Sequence, residues 1–182
     1  MNEMKKIKLM LVTLMMIFSL GTTAQKFTLE KSIVKFYSAA TIENIEATNT
    51  KTVSIFNATT AEVAFLIPIK EFEFEKQLMK EHFNEKYLET EKYPKATFQG
   101  KFSDFVAKEG EQQVMAQGKL TIHGVTKEIE APGTILMIGN IVTAKAKFKI
   151  KLEDYKIKIP QLLWQNIAEE VEVTVEFIYK PQ

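Results

Sequence analysis

Two side chains in this sequence carry an imidazole, His82 and His123. Imidazole is the usual proton carrier near neutral pH and the commonest metal ligand. Neither has a second histidine at HxH or HExxH spacing, so no ligand cluster forms from local sequence. Cysteine is absent. That excludes thiol nucleophiles, disulfide scaffolds and Cys-based zinc or iron–sulfur sites. There is no GxSxG elbow and no GxGxxG or GxxxxGK phosphate loop. The adjacent acids Glu153-Asp154 and Glu169-Glu170 would point to opposite faces of a strand, so neither doublet makes an acid/base pair locally. The chemistry-bearing residues therefore read as structural. The expectation is a protein that is not an enzyme, with no metal and no cofactor.

Charge narrows the classes further. The 182 residues hold 24 cations and 23 anions, and every cation is Lys. Nucleic-acid binding normally shows a net basic patch with Arg at its specific contacts, so it is not expected. The Lys residues are instead ordered. From Ile141 to Leu152 the odd positions include Lys145, Lys147, Lys149 and Lys151, and the even positions are Val142, Ala144, Ala146, Phe148, Ile150 and Leu152. Such alternation is a half-buried strand. From Glu170 to Tyr179 the pattern repeats with the opposite charge: Glu170, Glu172, Thr174 and Glu176 against Val171, Val173, Val175, Phe177 and Tyr179. If the two are antiparallel neighbours, Lys faces Glu across the ladder, a favourable pairing. The Lys row is then a solvated sheet face rather than an anion site.

The elements that must carry these rows are nearly all β. Val34 and Phe36 share a face opposite Lys35; Thr52 to Phe56 is short and β-branched; Val63 to Ile69 is apolar on both faces. Phe98, Gly100 and Phe102 alternate with polar neighbours, as do Val114, Ala116, Gly118, Leu120 and Ile122. Ile122-His123-Gly124-Val125 predicts a tight hairpin with Gly124 at positive φ, Gly139-Asn140 a second one, and Pro132-Gly133 a bulge or bend. Two segments depart from this pattern. Met79, Phe83 and Tyr87 give one helical face over Glu75 to Tyr87, and Pro160 opens a second short helix with Leu162, Leu163 and Ile167. Many short antiparallel strands with turns between them predict a sandwich or barrel, and a hydrophobic fraction of 46% is ample for its core.

The first 24 residues read as an address. Lys5, Lys6 and Lys8 precede the apolar run Leu9 to Leu20 and the small residues Gly21 to Ala24. A membrane span needs roughly 20 apolar residues, so the expectation is a cleavable signal peptide, cut after Ala24, with an uncleaved anchor as the alternative. Residues 1–24 are the signal and residues 25–182 one exported domain, periplasmic or secreted.

Aromatics crowd the inferred inner faces: Phe36, Phe65, Phe98, Phe102, Phe148, Phe177 and Tyr179. A barrel of about eight strands can either fill its interior with side chains or hold one ligand. Periodicity leaves both outcomes open.

Three stretches carry a resemblance. Met79-Lys-Glu-His-Phe83, running on to Lys92-Tyr-Pro-Lys-Ala-Thr-Phe98, is similar to a helix followed by "yP.itF". Gly118-Lys-Leu-Thr-Ile-His-Gly-Val-Thr-Lys127 is the most specific run. Phe148 to Ile157 aligns with "F…RsDfGI", with Asp154, Tyr155 and Ile157 agreeing. Together they resemble the YceI family of exported, lipocalin-like proteins, over about residues 26 to 180. The resemblance implies an all-β fold, an antiparallel lipocalin-like β-barrel with one or two short helices. It also implies an apolar tunnel for a long-chain amphiphile, polyisoprenoids being the associated class, without catalysis. Leu152, Glu153 and Lys156 stand where the pattern has Arg, Ser and Gly. With no Arg anywhere, a bidentate clamp on a pyrophosphate is not available. The stretch from Lys156 to Ala168 is unlike the family's Gly-containing loop and is a candidate lid.

The function expected is binding, sequestration or transport of an apolar, polyisoprenoid-like lipid. The alternative is an envelope interaction module with a filled core. The expected apolar lining is Phe36, Phe65, Phe98, Leu120, Ile122, Phe148, Leu152, Val173 and Phe177. The expected partner is the lipid itself, with a homodimer as a possible assembly.

Overall fold

The alternating segments form the long strands of the protein. The structure, a computed structural model, describes residues 25–39, 44–159 and 168–182. The signal peptide and the helix expected behind Pro160 lie outside the described residues. The described residues form ten strands: β1 Lys26–Ser38, β2 Ile45–Asn49, β3 Val53–Asn57, β4 Glu62–Pro68, β5 Glu73–Phe74, β6 Lys95–Ser103, β7 Gly110–Ile122, β8 Val125–Ile138, β9 Ile141–Lys151 and β10 Glu170–Pro181. A short helix, α1 Gln77–His82, leads into a π-helical turn, Phe83–Tyr87. Short 3-10 turns cover Ile69–Glu71 and Glu153–Tyr155.

All strand pairs are antiparallel. The order β1-β3-β4-β6-β7-β8-β9-β10, closed by β10 on β1, makes an eight-stranded barrel. This is the lipocalin-like architecture that the sequence predicts. β1 is long enough to serve two partners on one edge: Lys26–Thr28 pair with β3 and Val34–Ser38 with β2. Asn49 fills the break between those partners. It is fully buried, its Nδ2 donates to the Pro68 carbonyl at 2.8 Å and its Oδ1 accepts from the Lys51 N–H at 2.8 Å. β2 and β5 extend the wall beyond the barrel at one end.

The charge rows fall where alternation places them. Glu170, Glu172 and Glu176 stand opposite Lys151, Lys149 and Lys145. Ion pairs join Lys145 to Glu176 at 3.5 Å, Lys147 to Glu172 at 2.8 Å and Lys149 to Glu170 at 3.7 Å. With the Lys face outward, the even positions of β9 must face inward.

Two local expectations change. Pro132-Gly133 is not a bulge, because β8 pairs with β7 without a slip from Val125 to Met137. Instead the β8–β9 ladder begins only at Gly133. A proline has no N–H to donate to a ladder, and a Cβ at Gly133 would lie 2.4 Å from the Lys145 carbonyl oxygen. The register slip is in β1, between Leu29 and Lys31. The helix starts at Gln77 rather than Glu75, since Glu73–Phe74 first pair with β2. It then widens at Phe83, where the Leu88 N–H reaches back to the Phe83 carbonyl at 2.9 Å.

Candidate functional site: an apolar cavity in one half of the barrel

The two ends of the barrel are packed differently. At the end where β1 begins and β10 finishes, Phe56 is 1% exposed. Its ring lies 5.3–6.0 Å from those of Phe27, Phe102, Phe105 and Tyr179. The Tyr179 hydroxyl, taken from water, is held protonated, its pKa raised by burial. It lies 2.8 Å from Ser54 Oγ. Ser54 gives its own proton to the Ala64 carbonyl at 2.8 Å, so the phenol donates to Ser54. This end is filled.

The other half is hollow. Val34 and Phe36 of β1, Phe65 and Ile67 of β4, Leu120 and Ile122 of β7, Phe148 and Ile150 of β9, and Val171, Val173 and Val175 of β10 surround a cavity of about 150 Å³. Each of these sets is two or three residues at i, i+2 spacing, one face of its strand. Met79, Phe83 and Tyr87 cover the cavity from above, the helical face read from their i, i+4 spacing. Burial raises the Tyr87 pKa above its ordinary value, so its ring caps the cavity as a neutral group. The walls are otherwise hydrocarbon, apart from Ser38. Ser38 Oγ accepts from the Ala168 N–H at 2.9 Å.

Of the nine expected lining residues, the structure brings seven together around the cavity: Phe36, Phe65, Leu120, Ile122, Phe148, Leu152 and Val173. Phe98 and Phe177 do not reach it. They face inward, each 3% exposed, but pack behind Phe65, at 5.2 Å stacked and 5.4 Å edge-on. Phe65 is thus the floor between the hollow and filled halves. Sequence reasoning missed Phe72 and Phe74. Together with Phe36 and Phe83 they form a cluster with centroids 5.0–5.8 Å apart at the mouth. The signal was present in the alternation Phe72-Glu73-Phe74 just before the helix.

The mouth is polar. A cleft beside the cavity shares Ile45, Phe74 and Met79 with it and is walled by Glu46, Thr48, Glu73, Glu75 and Lys76. On the opposite rim the β7–β8 hairpin is clamped. His123 and Gly124 both take positive φ, 50° and 73°, the pattern of a type I′ turn. His123 Nδ1 lies 3.1 Å from the Tyr155 carbonyl and Nε2 lies 2.8 Å from Glu89 Oε2. The His123 ring stands edge-on to Tyr93 at 4.5 Å. One imidazole thus ties together the 3-10 turn, the hairpin and the chain leaving the π turn. His82 is the last residue of α1 and takes no part in that clamp.

Among the described residues no group of three or more His, Asp or Glu is placed to hold a metal. Nor is any described helix long and apolar enough to cross a membrane. What the arrangement can do chemically is exclude water from a hydrocarbon group while leaving a polar end in the cleft.

Comparison with known proteins agrees with this geometry. The family profile described as a YceI-like domain matches residues 22–179. A polyisoprenoid-binding domain from Saccharophagus degradans, implicated in plant cell wall breakdown, superposes with a TM-score of 0.73 at 17% identity, over 86% of this chain and 98% of that one. BcnA of Burkholderia cenocepacia gives 0.69 at 20% identity, over 81% and 95%. The YceI protein of Campylobacter jejuni gives 0.58 at 20%, over 72% and 80%. At these identities the likeness is one of fold. A comparison with curated proteins finds no match.

Proposed function

The chain belongs to the YceI-like family, and from that premise we propose that it binds and carries an apolar or amphiphilic lipid, without catalysis. The single observation that carries this is the hydrocarbon-walled cavity of about 150 Å³ in a barrel whose other half is tightly filled. Burying apolar surface gains about 25 cal/mol per Å², so a hydrocarbon-walled chamber favours an apolar guest over water. The polyisoprenoid-binding neighbour supports an isoprenoid as the ligand class. Leu152, in the position where the family pattern has Arg, lines the cavity and extends its apolar wall. Export to the periplasm or beyond is part of the proposal and rests on Lys5 to Ala24. N-terminal sequencing of the exported form should begin at Gln25; retention of Met1 to Ala24 in a membrane fraction would overturn it.

The test of ligand binding is mass spectrometry of an organic extract of the purified protein. A stoichiometric lipid with an isoprenoid or other long hydrocarbon chain is expected. A second reading, an interaction module, draws on Val53 and Ile55. They are 61% and 62% exposed on the outer face of β3, beside the outward Leu66 and Ala64 of β4. Recovery of no lipid, with binding of none when it is offered, would favour that reading.

A further inference from the structure

The cavity and the proposed ligand differ in size. About 150 Å³ is the volume of a chamber that holds one benzene-sized group. A chain of several isoprene units is many times larger. The room such a chain needs is occupied by the phenylalanine cluster at the mouth, in which Phe36 and Phe72 pack against Phe74 and Phe83.

Phe74 and Phe83 sit on a segment joined to the barrel wall by little strand pairing. From Glu73 to Tyr87 no residue is fully buried. The segment's strand pairing is two residue pairs, Ala47 with Phe74 and Thr48 with Glu73. Its α-helix has six residues, too few to persist on helical propensity. The helix ends in a π turn, a wide-wound geometry common at functional sites. The flanks, by contrast, are fixed. Phe72 and Leu88 are buried. The Ile69 N–H donates to the Pro94 carbonyl at 2.9 Å, Lys70 pairs with Glu91, and Glu89 meets His123. A weakly attached span between two anchored ends opens locally at lower free energy than the barrel unfolds.

We propose that Glu73–Tyr87 is a displaceable plug that sets which chain lengths the barrel accepts. The inference rests on the lipid-binding reading above. A group the size of one isoprene unit binds with the plug in place. A longer chain binds by taking the positions of Phe74 and Phe83, which leave together as the span swings about Phe72 and Leu88. The apparent affinity for long chains is then lowered by the fraction of time the plug spends closed.

The absence of cysteine permits a clean lock. Thr48→Cys with Glu73→Cys places a disulfide across the β2–β5 pair, where antiparallel Cα atoms stand about 4.5–5.5 Å apart, within disulfide range. Delipidated protein, oxidised or reduced, would be titrated with prenyl alcohols of one isoprene unit (3-methyl-2-buten-1-ol) and of four (geranylgeraniol). Oxidation should leave the short alcohol's affinity unchanged and weaken the long one by about tenfold or more, with recovery on reduction. Equal binding of geranylgeraniol by the oxidised and reduced forms would overturn the plug while leaving lipid binding intact. Binding of neither alcohol by the reduced form would remove the lipid-binding reading itself, and the plug with it. Phe83→Ala gives an independent arm. It should tighten geranylgeraniol relative to the short alcohol, and an unchanged ratio would count against displacement.

Discussion

Individual residues in this protein take up strain or burial that their neighbours must offset. Lys156 holds φ at 56°, in the left-handed region where a Cβ crowds the backbone by roughly 1–2 kcal/mol. Its N–H closes the 3-10 turn onto the Glu153 carbonyl at 2.9 Å. The resembling family pattern has Gly at this position, and Lys156→Gly is expected to raise stability by about 0.5–1 kcal/mol, part of the relief being offset by unfolded-state entropy. Urea unfolding would measure it, and a loss of stability would mean that the Lys side chain does more than occupy the turn. In the filled end, Ser54→Ala should cost more than Tyr179→Phe. The first leaves a phenol with 0% exposure unbonded, at about 1–3 kcal/mol. The second leaves Ser54 still bonded to Ala64.

Alkali acts through the same kind of group. Burial, with the Asp154 charge adding to it, pushes the Tyr155 pKa from 10 up to about 12. Between those values the unfolded chain loses a proton that the folded chain keeps. Stability is therefore intact below pH 10 and falls as pH rises toward 12. Tyr155→Phe should flatten that decline in denaturant melts followed between pH 9 and 12, and an unchanged slope would exclude Tyr155 as its source.

Elements show why some of the architecture is legible in sequence and some is not. β9 and β10 declare themselves because each has one charged face, and the ion pairs of Lys145, Lys147 and Lys149 follow from the register. These pairs are half-exposed and each contributes at most about 1 kcal/mol. Lys147→Glu should thus cost little in a urea melt, and lipid binding should be unaffected. A large loss of ligand would return the Lys row to the role of an anion site. β2 and β5 carry no such face. Two to five residues cannot establish a period, and their pairing is dictated by the end of β1 and by Asn49.

The run Gly118 to Lys127 is recognisable for reasons that only the packing reveals. Gly118 faces Gly100 across the ladder, and a Cβ there would lie 2.3 Å from the Gln99 carbonyl oxygen and 2.5 Å from Gly100 Cα. Leu120 and Ile122 line the cavity, and His123-Gly124 makes the clamped turn. Gly118→Ala must push two strands apart and is expected to destabilise by about 1–3 kcal/mol or more. A neutral result in thermal or urea melts would show that β6 and β7 can separate locally at this point.

At the scale of the whole molecule, the barrel is one hydrocarbon interior with two kinds of packing. Alternation along a strand says which residues face in. It does not say how far along the barrel axis each one sits. That depth comes from strand register, including the slip in β1 and the late start of the β8–β9 ladder. This is why Phe98 and Phe177 are indistinguishable in sequence from Phe148, yet pack beneath Phe65 while Phe148 lines the cavity. The difference is measurable as a pair of substitutions in delipidated protein. Phe56→Ala removes a ring that is 1% exposed and in contact with four others. It should cost about 3–5 kcal/mol, the full transfer-plus-cavity penalty of a packed core. Phe148→Ala removes a ring that lines the cavity and is only partly buried. Fewer packing contacts are lost, so its cost should fall clearly below that of Phe56→Ala. The enlarged chamber should at the same time shift bound lipid toward bulkier or longer chains in extracts of the same two variants. Equal, core-like losses of stability, with no lipid recovered from wild type or either variant, would mean that both ends are simply core. The barrel would then act through its outer surface, with the exposed Val53 and Ile55 of β3 as the first place to look for a partner.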